Sequence, residues 1–237
     1  MNKYLVLAFG LIMALFLSPS AFSQDEGHIT FEITDVASDN PQVQAQMEMM
    51  KGSTTEVYYK GDKSLTNMNM MGGMINVNLI LEGKDQGMKM AMDMMGQKML
   101  IPISKEEMEK MKAESENPMS ELTIEYDESD TKEIAGFTCY KMVATPVTNP
   151  DMKLEAYITE EIKTNAALVQ GVDMEQFKGY PLEIVANLGM ATMTTSAKAY
   201  EPKCDDASLT MDTSGFTEMS FEDFMSSMGQ MGGGFGF

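Results

Sequence analysis

The clearest signal of secondary structure in the sequence is Met88-Lys-Met-Ala-Met-Asp-Met94. Its four methionines alternate with other residues, so a β-strand would place all four on one face. The run Ile75-Asn-Val-Asn-Leu-Ile-Leu-Glu82 shows the same alternation, with Ile80 as an apolar exception. Two such runs, separated by turn residues, predict an antiparallel sheet with one buried face.

Alternation with a period of two recurs along most of the chain. The predicted strands are 29–34, 54–60, 64–71, 75–82, 88–95, 98–103, 122–126, 137–145, 153–158, 182–187 and 190–200. Capping signals predict three short helices, which begin at Asn40-Pro41, at Ser104-Lys-Glu-Glu107 and at Ser220-Phe-Glu-Asp223. The predicted fold is therefore mainly β with short helices, a curved antiparallel sheet with helices over its concave face.

The composition is strongly acidic and unusually rich in methionine. The 237 residues include 36 acidic and 17 basic residues, which gives a formal charge of −19, and 28 methionines. Because phosphate backbones would repel such a chain, we expect no nucleic-acid partner. The apolar fraction of 43% is sufficient for a folded core.

Residues 1–23 have the pattern of a secretory signal peptide. Lys3 precedes the uncharged apolar run Leu5–Leu17, and the small residues Ala21 and Ser23 occupy the positions before a cleavage site. The run is shorter than the roughly 20 residues that a membrane-spanning helix needs. We therefore expect an exported, soluble protein that does not span the membrane and is periplasmic or extracellular.

The remainder of the sequence predicts a single β-rich domain over residues 24–225. Residues 226–237, rich in Gly, Met and Phe, are expected to form a flexible tail. Nothing in the sequence indicates an oligomeric state.

Several short segments of the chain resemble those of one protein family. They are Val57-Tyr-Tyr-Lys-Gly-Asp-Lys63, Met92-Asp-Met-Met-Gly-Gln-Lys98, Ile134-Ala-Gly-Phe-Thr-Cys-Tyr-Lys141, Gly179-Tyr-Pro-Leu-Glu-Ile184 and Gly215-Phe-Thr-Glu-Met219. In this order they resemble the family called domain of unknown function 4412, exported proteins of Gram-negative bacteria that are grouped by fold with the LolA-like lipoprotein carriers. The resemblance implies a half-barrel sheet lidded by helices around an apolar cavity, and it implies no established activity.

Motifs of common enzyme classes are absent from the sequence. There is no serine nucleophile elbow, zinc-protease motif, C-x-x-C pair or phosphate-binding loop. His28, the one histidine, lies near the predicted mature N-terminus, and we expect it to be an exposed residue at the start of a strand. The sequence therefore predicts a non-enzyme without a cofactor or metal, although a two-carboxylate site of the glycosidase type stays open.

The two cysteines, Cys139 and Cys204, are predicted to form a disulfide, because an even number of cysteines in an exported protein favours pairing. In the alternative both are reduced, and Cys139 is buried in its strand as a small hydrophobic residue. Cys204 is not a feature that we recognise in the family.

Six methionines on predicted neighbouring strands are the candidate ligand-binding residues. They are Met68, Met70, Met88, Met90, Met92 and Met94. Flexible, polarizable methionine side chains fit irregular apolar ligands, so we expect these residues to line an apolar cavity. The sequence thus predicts a non-catalytic envelope protein that binds a hydrophobic small molecule or lipid, such as an acyl chain.

Two alternatives remain for the methionines. Thioether sulfur is a soft ligand, and the MxM and MxxM spacings would suit an envelope protein that binds Cu(I) or Ag(I), although no His or Cys lies within these motifs. In the second alternative the methionines pack a solid core in a structural secreted protein.

Overall fold

The computed structural model of the chain describes residues 25–83, 86–114, 121–164, 166, 174–187 and 189–230. Within them the chain is mainly β, with one large curved and open sheet and three α-helices. The predicted fold class is confirmed. The predicted signal peptide and residues 231–237 of the predicted tail lie outside the described residues.

Twelve strands form the sheet. They are β1 (Glu26–Ala37), β2 (Thr54–Lys60), β3 (Lys63–Met70), β4 (Ile75–Leu81), β5 (Met88–Met94), β6 (Gln97–Ile103), β7 (Leu122–Ile134), β8 (Phe137–Pro146), β9 (Lys153–Thr159), β10 (Tyr180–Asn187), β11 (Thr192–Glu201) and β12 (Thr217–Glu218). Their spatial order is β12-β6-β5-β4-β3-β2-β1-β11-β10-β9-β8-β7. Every pairing is antiparallel except the parallel pairing of β12 with β6.

Strand β7 continues beyond its predicted end at Tyr126 and reaches Ile134. A bulge shifts its register against β8 between Asp127 and Thr131. A bulge adds unpaired residues and interrupts the alternation of side chains. A period of two therefore did not predict the second half of the strand.

The helices begin at the predicted capping residues. In α1 (Pro41–Glu48) the side chain of Asn40 accepts a hydrogen bond from the amide of Gln42 at 2.9 Å. Helix α2 (Lys105–Glu114) follows the predicted capping box, and α3 (Phe221–Gln230) begins after Ser220, whose hydroxyl accepts from the amide of Asp223 at 3.1 Å. Helix α3 therefore extends past residue 225, the predicted end of the domain.

The register of β3 to β6 places one set of apolar side chains on a single face, because directly paired residues share a face of the sheet. We call this set the Met face. It consists of Met68, Met70, Ile75, Val77, Leu79, Leu81, Met88, Met90, Met92, Met94, Met99, Ile101 and Ile103.

The C-terminal strap, residues 202–219, crosses the opposite face of the same strands and covers part of it. The 3-10 turn Asp206–Leu209 lies against β2 and β3, where Lys60 pairs with Asp206 at 2.8 Å. The strap then reaches the far edge of the sheet, where β12 pairs with β6. Leu65, Ile80 and Ala91 are buried on this face.

A different segment closes the Met face on its β1 side. The register continues the Met face through Thr66 onto Val57 of β2. There Ile162 and Ala166 join the core cluster that contains Val57 and Phe31. The Met face is thus closed over β1 and β2 by the chain itself, whereas its side chains on β3 to β6 are mostly half-buried.

A second core cluster lies over β8 to β10. Met174 and Phe177, which precede β10, pack against buried residues of these strands. The buried strand residues are Met142, Ala144, Leu154, Ala156, Ile158, Ile184 and Ala186.

Candidate binding site

All six methionines predicted to bind a ligand lie on the Met face. Met68 and Met70 are on β3, and Met88, Met90, Met92 and Met94 are on β5, with β4 between the two strands. Each of the six is half-buried. The structure thus places the six methionines together on one face, and their partial exposure makes this face accessible to a ligand. That they bind one stays a prediction.

The neighbours of these methionines across the strands are mostly aliphatic. Met68 and Met92 both face Val77 of β4. Of the six predicted methionines, Met92 alone has another methionine directly opposite, which is Met99 of β6. The register therefore alternates thioethers with branched aliphatic side chains, an arrangement that offers apolar area and one directly opposed sulfur pair.

Burial along the Met face changes from one end of the strands to the other. Thr66, Ile101 and Ile103 are buried at the end where β5 begins. At the other end Met94 is half-buried and its partner Gln97 is exposed. An apolar ligand would therefore find a closed end and an accessible end on the same face.

A cleft of about 510 Å³ lies at the closed end of the strands. Its lining includes Met88 and Ile103, which also belong to the Met face, together with Phe221 of α3. This volume lies within the range of roughly 300–1,000 Å³ typical of ligand sites. The cleft does not coincide with the middle of the Met face, so we regard it as an extension at one end, and the sequence analysis did not detect it.

The polar side of the cleft carries three carboxylates and one ammonium group. Lys89 pairs with Glu82 at 3.0 Å, and Glu107 and Glu218 are the other two acids. The hydroxyl and amide of Ser104 both donate to Glu107, and these hydrogen bonds hold the pKa of Glu107 below its usual value. The cleft was missed because its residues come from three separate connections of the chain, and no short motif joins them.

His28 is not the exposed residue that the sequence predicted. Its side chain is only 16% exposed, and its ring stacks on Tyr58 with centroids 4.1 Å apart. Glu56 and Glu201 lie 3.9 Å and 3.8 Å from its two ring nitrogens. The prediction failed because β1 is an interior strand, so the neighbouring β2 and β11 enclose the residue.

The predicted disulfide is not formed in the structure. Cys139 and Cys204 are both free thiols, and both are buried. Burial raises the pKa of the Cys139 thiol to about 12, and it also raises the pKa of Cys204. Cys139 instead belongs to the core cluster around Phe31, which is the alternative that the sequence analysis left open.

Two features are absent from the part of the chain that the structure describes. In that part no group of three or more His, Cys, Asp or Glu residues is placed to hold a metal ion. No helix in it is long and apolar enough to cross a membrane.

No protein-family model matches the chain, and no curated protein matches its sequence. Among solved structures, MucB of Pseudomonas aeruginosa, solved with MucA, is 11% identical over 81% of this chain and 57% of its own, with a TM-score of 0.38. The chain thus spans little more than half the length of MucB. LprF from Mycobacterium bovis is 10% identical over 76% of this chain and 87% of its own, with a TM-score of 0.31.

A putative outer membrane lipoprotein-sorting protein domain from Vibrio parahaemolyticus is 8% identical, over 84% of this chain and 94% of its own, with a TM-score of 0.31. At these TM-scores the likenesses carry no functional conclusion. Membership of the family called domain of unknown function 4412 stays a prediction.

Proposed function

We propose that this chain is an exported, non-catalytic cell-envelope protein that binds an apolar ligand, a lipid or acyl chain, on the Met face. One observation carries the proposal: four adjacent strands present a continuous apolar face that the described chain covers only in part. A contiguous apolar surface that the chain leaves partly open is typical of a ligand-binding groove or an interaction site.

The other face of the same strands supports this choice. It is partly covered by the C-terminal strap, whose Phe216 and Met219 reach β6. The part of that face left open carries polar side chains such as Asn67, Asn69 and Asn78, so the Met face is the side that offers continuous apolar contact. Burial of apolar area contributes about 25 cal/mol per Å², so an acyl chain laid along this face would be held without any specific polar contact.

Methionine is well suited to such a surface. Its unbranched side chain adapts to irregular shapes, and its sulfur is polarizable. A row of Met92, Val77 and Met68 across three strands combines flexible and rigid apolar groups. Such a surface can bind apolar ligands of different shapes.

A set of variants tests the proposal. Met88, Met90, Met92 and Met94 are replaced together by leucine, which keeps volume and apolarity at a cost of under about 1.5 kcal/mol for each swap. We expect the fold, measured by circular dichroism, and the affinity for a fluorescent fatty-acid probe to survive. Met92→Asp should abolish probe binding, because it places an unpaired charge on the apolar face.

Met190→Asp is the matched control for the charge, because Met190 is 75% exposed in a turn outside the Met face. We expect this variant to bind the probe as the parent does. A parent that binds no probe would overturn the proposal. Tight stoichiometric Cu(I) binding by the parent that the leucine variant loses would instead establish the copper function, since leucine has no lone pair to donate.

A further inference from the structure

Exposed methionines occupy the loops at one end of the sheet. Met49 follows α1, Met74 separates β3 from β4, Met95 separates β5 from β6, and Met190 separates β10 from β11; they are 54%, 50%, 85% and 75% exposed. These four residues form what we call the methionine rim. Since consecutive strands are antiparallel, all four loops lie at the same end of the sheet.

Two rim residues border the accessible end of the Met face. Met74 immediately precedes Ile75, and Met95 immediately follows Met94, which is the direct partner of Ile75. The backbone amide of Met95 donates a hydrogen bond of 3.0 Å to the carbonyl of Met74. These two loops are therefore joined to each other beside the last row of the Met face.

The backbone at Met95 makes methionine an unexpected residue there. Met95 has a φ of 54° and is followed by Gly96 with a φ of 89°. Such two-residue hairpin turns strongly favour Asn-Gly or Gly-Gly. A long apolar side chain in a left-handed conformation, with 85% of the residue exposed, gains neither local stability nor core packing.

We propose that Met74 and Met95 are a modification site for two-electron oxidants, and that their oxidation to sulfoxides weakens ligand binding on the Met face. The effect on binding rests on the proposed function, whereas the order of oxidation does not. Exposure makes these two sulfurs accessible before the half-buried methionines of β5. The oxidant class is an oxygen-atom donor, a peroxide or a hypohalous acid.

With hydrogen peroxide the reaction balances as follows. A lone pair of the thioether sulfur attacks one peroxide oxygen, the O–O bond breaks and an S–O bond forms. The sulfur loses two electrons and becomes a sulfoxide, while the peroxide is reduced and leaves as water after its proton is transferred. The reverse reaction requires a dithiol-dependent sulfoxide reductase.

The consequence for binding follows from polarity. A sulfoxide is polar, so oxidation of Met74 and Met95 converts the border of the accessible end from an apolar to a polar one. An acyl chain that contacts this border would lose apolar contact and leave a polar group partly desolvated. The fold should be unaffected, because exposed side chains contribute little packing.

Two double variants distinguish oxidation at the border of the Met face from oxidation of any exposed methionine, because the replaced residues are similarly exposed in both. Met74→Leu/Met95→Leu removes the border sulfurs, and Met190→Leu/Met225→Leu removes two that are 75% and 51% exposed and lie outside the border. Each full-length exported protein is treated with limiting hydrogen peroxide. Peptide mass spectrometry then locates the sulfoxides, and a fluorescent fatty-acid probe reports affinity before and after treatment.

We expect sulfoxides at Met74 and Met95 before Met90 or Met92, with fully buried Met142 still reduced. Probe affinity of the parent and of Met190→Leu/Met225→Leu should fall by about three- to tenfold, and that of Met74→Leu/Met95→Leu should not. An equal loss in both double variants, or earlier oxidation of β5, would overturn the inference. A parent that binds no probe before treatment would overturn both the proposed function and the effect of oxidation on binding. The order of sulfoxide formation, measured by mass spectrometry, would still test the modification site.

Discussion

The ammonium nitrogen of Lys98 lies 5.5 Å from the centroid of the Phe216 ring. This contact joins β6 to the C-terminal strap just before β12 pairs with the same strand. Next to it, the amide of Met219 donates to the carbonyl of Leu100 at 3.0 Å. The strap is therefore fixed at the edge of the sheet, where it covers part of the face opposite the Met face.

Loss of the Phe216 ring should loosen the strap. We expect Phe216→Ala to lower the free energy of unfolding by about 1–2 kcal/mol, through lost apolar burial and the lost cation–π contact. Binding of an apolar dye should rise as Leu65 and Ile80 become accessible. Urea unfolding and dye fluorescence measure the two effects.

Phe216→Leu is the matched variant, since it keeps most of the apolar area and loses only the aromatic ring. It should fall between the parent and Phe216→Ala in stability. Parent-like stability and dye binding in Phe216→Ala would show that the strap does not depend on this ring.

The strap also shows where sequence patterns stop being informative. The Met face could be predicted because alternation with a period of two is a local property of each strand, and pairing of neighbouring strands preserved it. Residues 202–216 have no such period, and their position depends on strands far away in the chain. The same limit explains the cleft, whose lining residues Met88, Ser104 and Phe221 meet only after folding.

Helix starts were predicted for a similar local reason. The hydroxyl of Ser104 accepts a hydrogen bond from the amide of Glu107, three residues away, so the signal lies within one turn of the chain. The environment of His28 could not be predicted in this way. Its neighbours Tyr58 and Glu201 are placed by the order of strands in the sheet, which local alternation does not specify.

Gly87 should tolerate no side chain. An ideal Cβ at this position would lie 2.1 Å from the carbonyl oxygen of Ile103, a backbone atom that cannot turn away. We expect Gly87→Ala to destabilise the fold by roughly 1–3 kcal/mol, as overpacking does, and to distort the cleft at the closed end of the Met face. Thermal unfolding followed by circular dichroism measures the loss.

Gly96→Asn serves as the control for that change. Gly96 has a φ of 89° and no neighbour within 4 Å of a built Cβ, and asparagine adopts positive φ readily. This variant should remain close to the parent. A smaller loss for Gly87→Ala than for Gly96→Asn would contradict the close approach of β5 and β6 at Gly87.

Counting of thiols distinguishes the free cysteines of the structure from the disulfide that the sequence predicted. We expect two titratable thiols, Cys139 and Cys204, when the exported protein is denatured without reductant. In the native protein both should react slowly, because burial raises the pKa of each thiol and the reactive thiolate is scarce. A reduced and denatured sample gives the reference count, and the absence of thiols before reduction would establish the disulfide.

The buried Cys139 thiol should make the fold sensitive to alkaline pH. Burial, followed by the nearby carboxylate of Glu133, raises its pKa to about 12 in the folded state. An unfolded chain has a thiol pKa of about 8.5, so above that pH the unfolded state loses a proton that the folded state keeps. The contribution of the Cys139 thiol to the free energy of unfolding is therefore fully present below pH ~8.5. It falls as the pH rises, by at most about 1.4 kcal/mol per pH unit.

The Cys139→Ala variant should remove much of this slope. We expect the free energy of unfolding of the parent to decrease between pH ~8.5 and 10, and that of Cys139→Ala to decrease less over the same range. Buried tyrosines also contribute to the slope as the pH approaches their unfolded pKa of about 10, so only the difference in slope between the parent and Cys139→Ala is assigned to the thiol. Cys204→Ala is the control, because the pKa of Cys204 is also raised and its own share of the slope must be separated. Urea unfolding at each pH supplies the values, and a slope that Cys139→Ala leaves unchanged would show that this thiol does not stay protonated in the folded core.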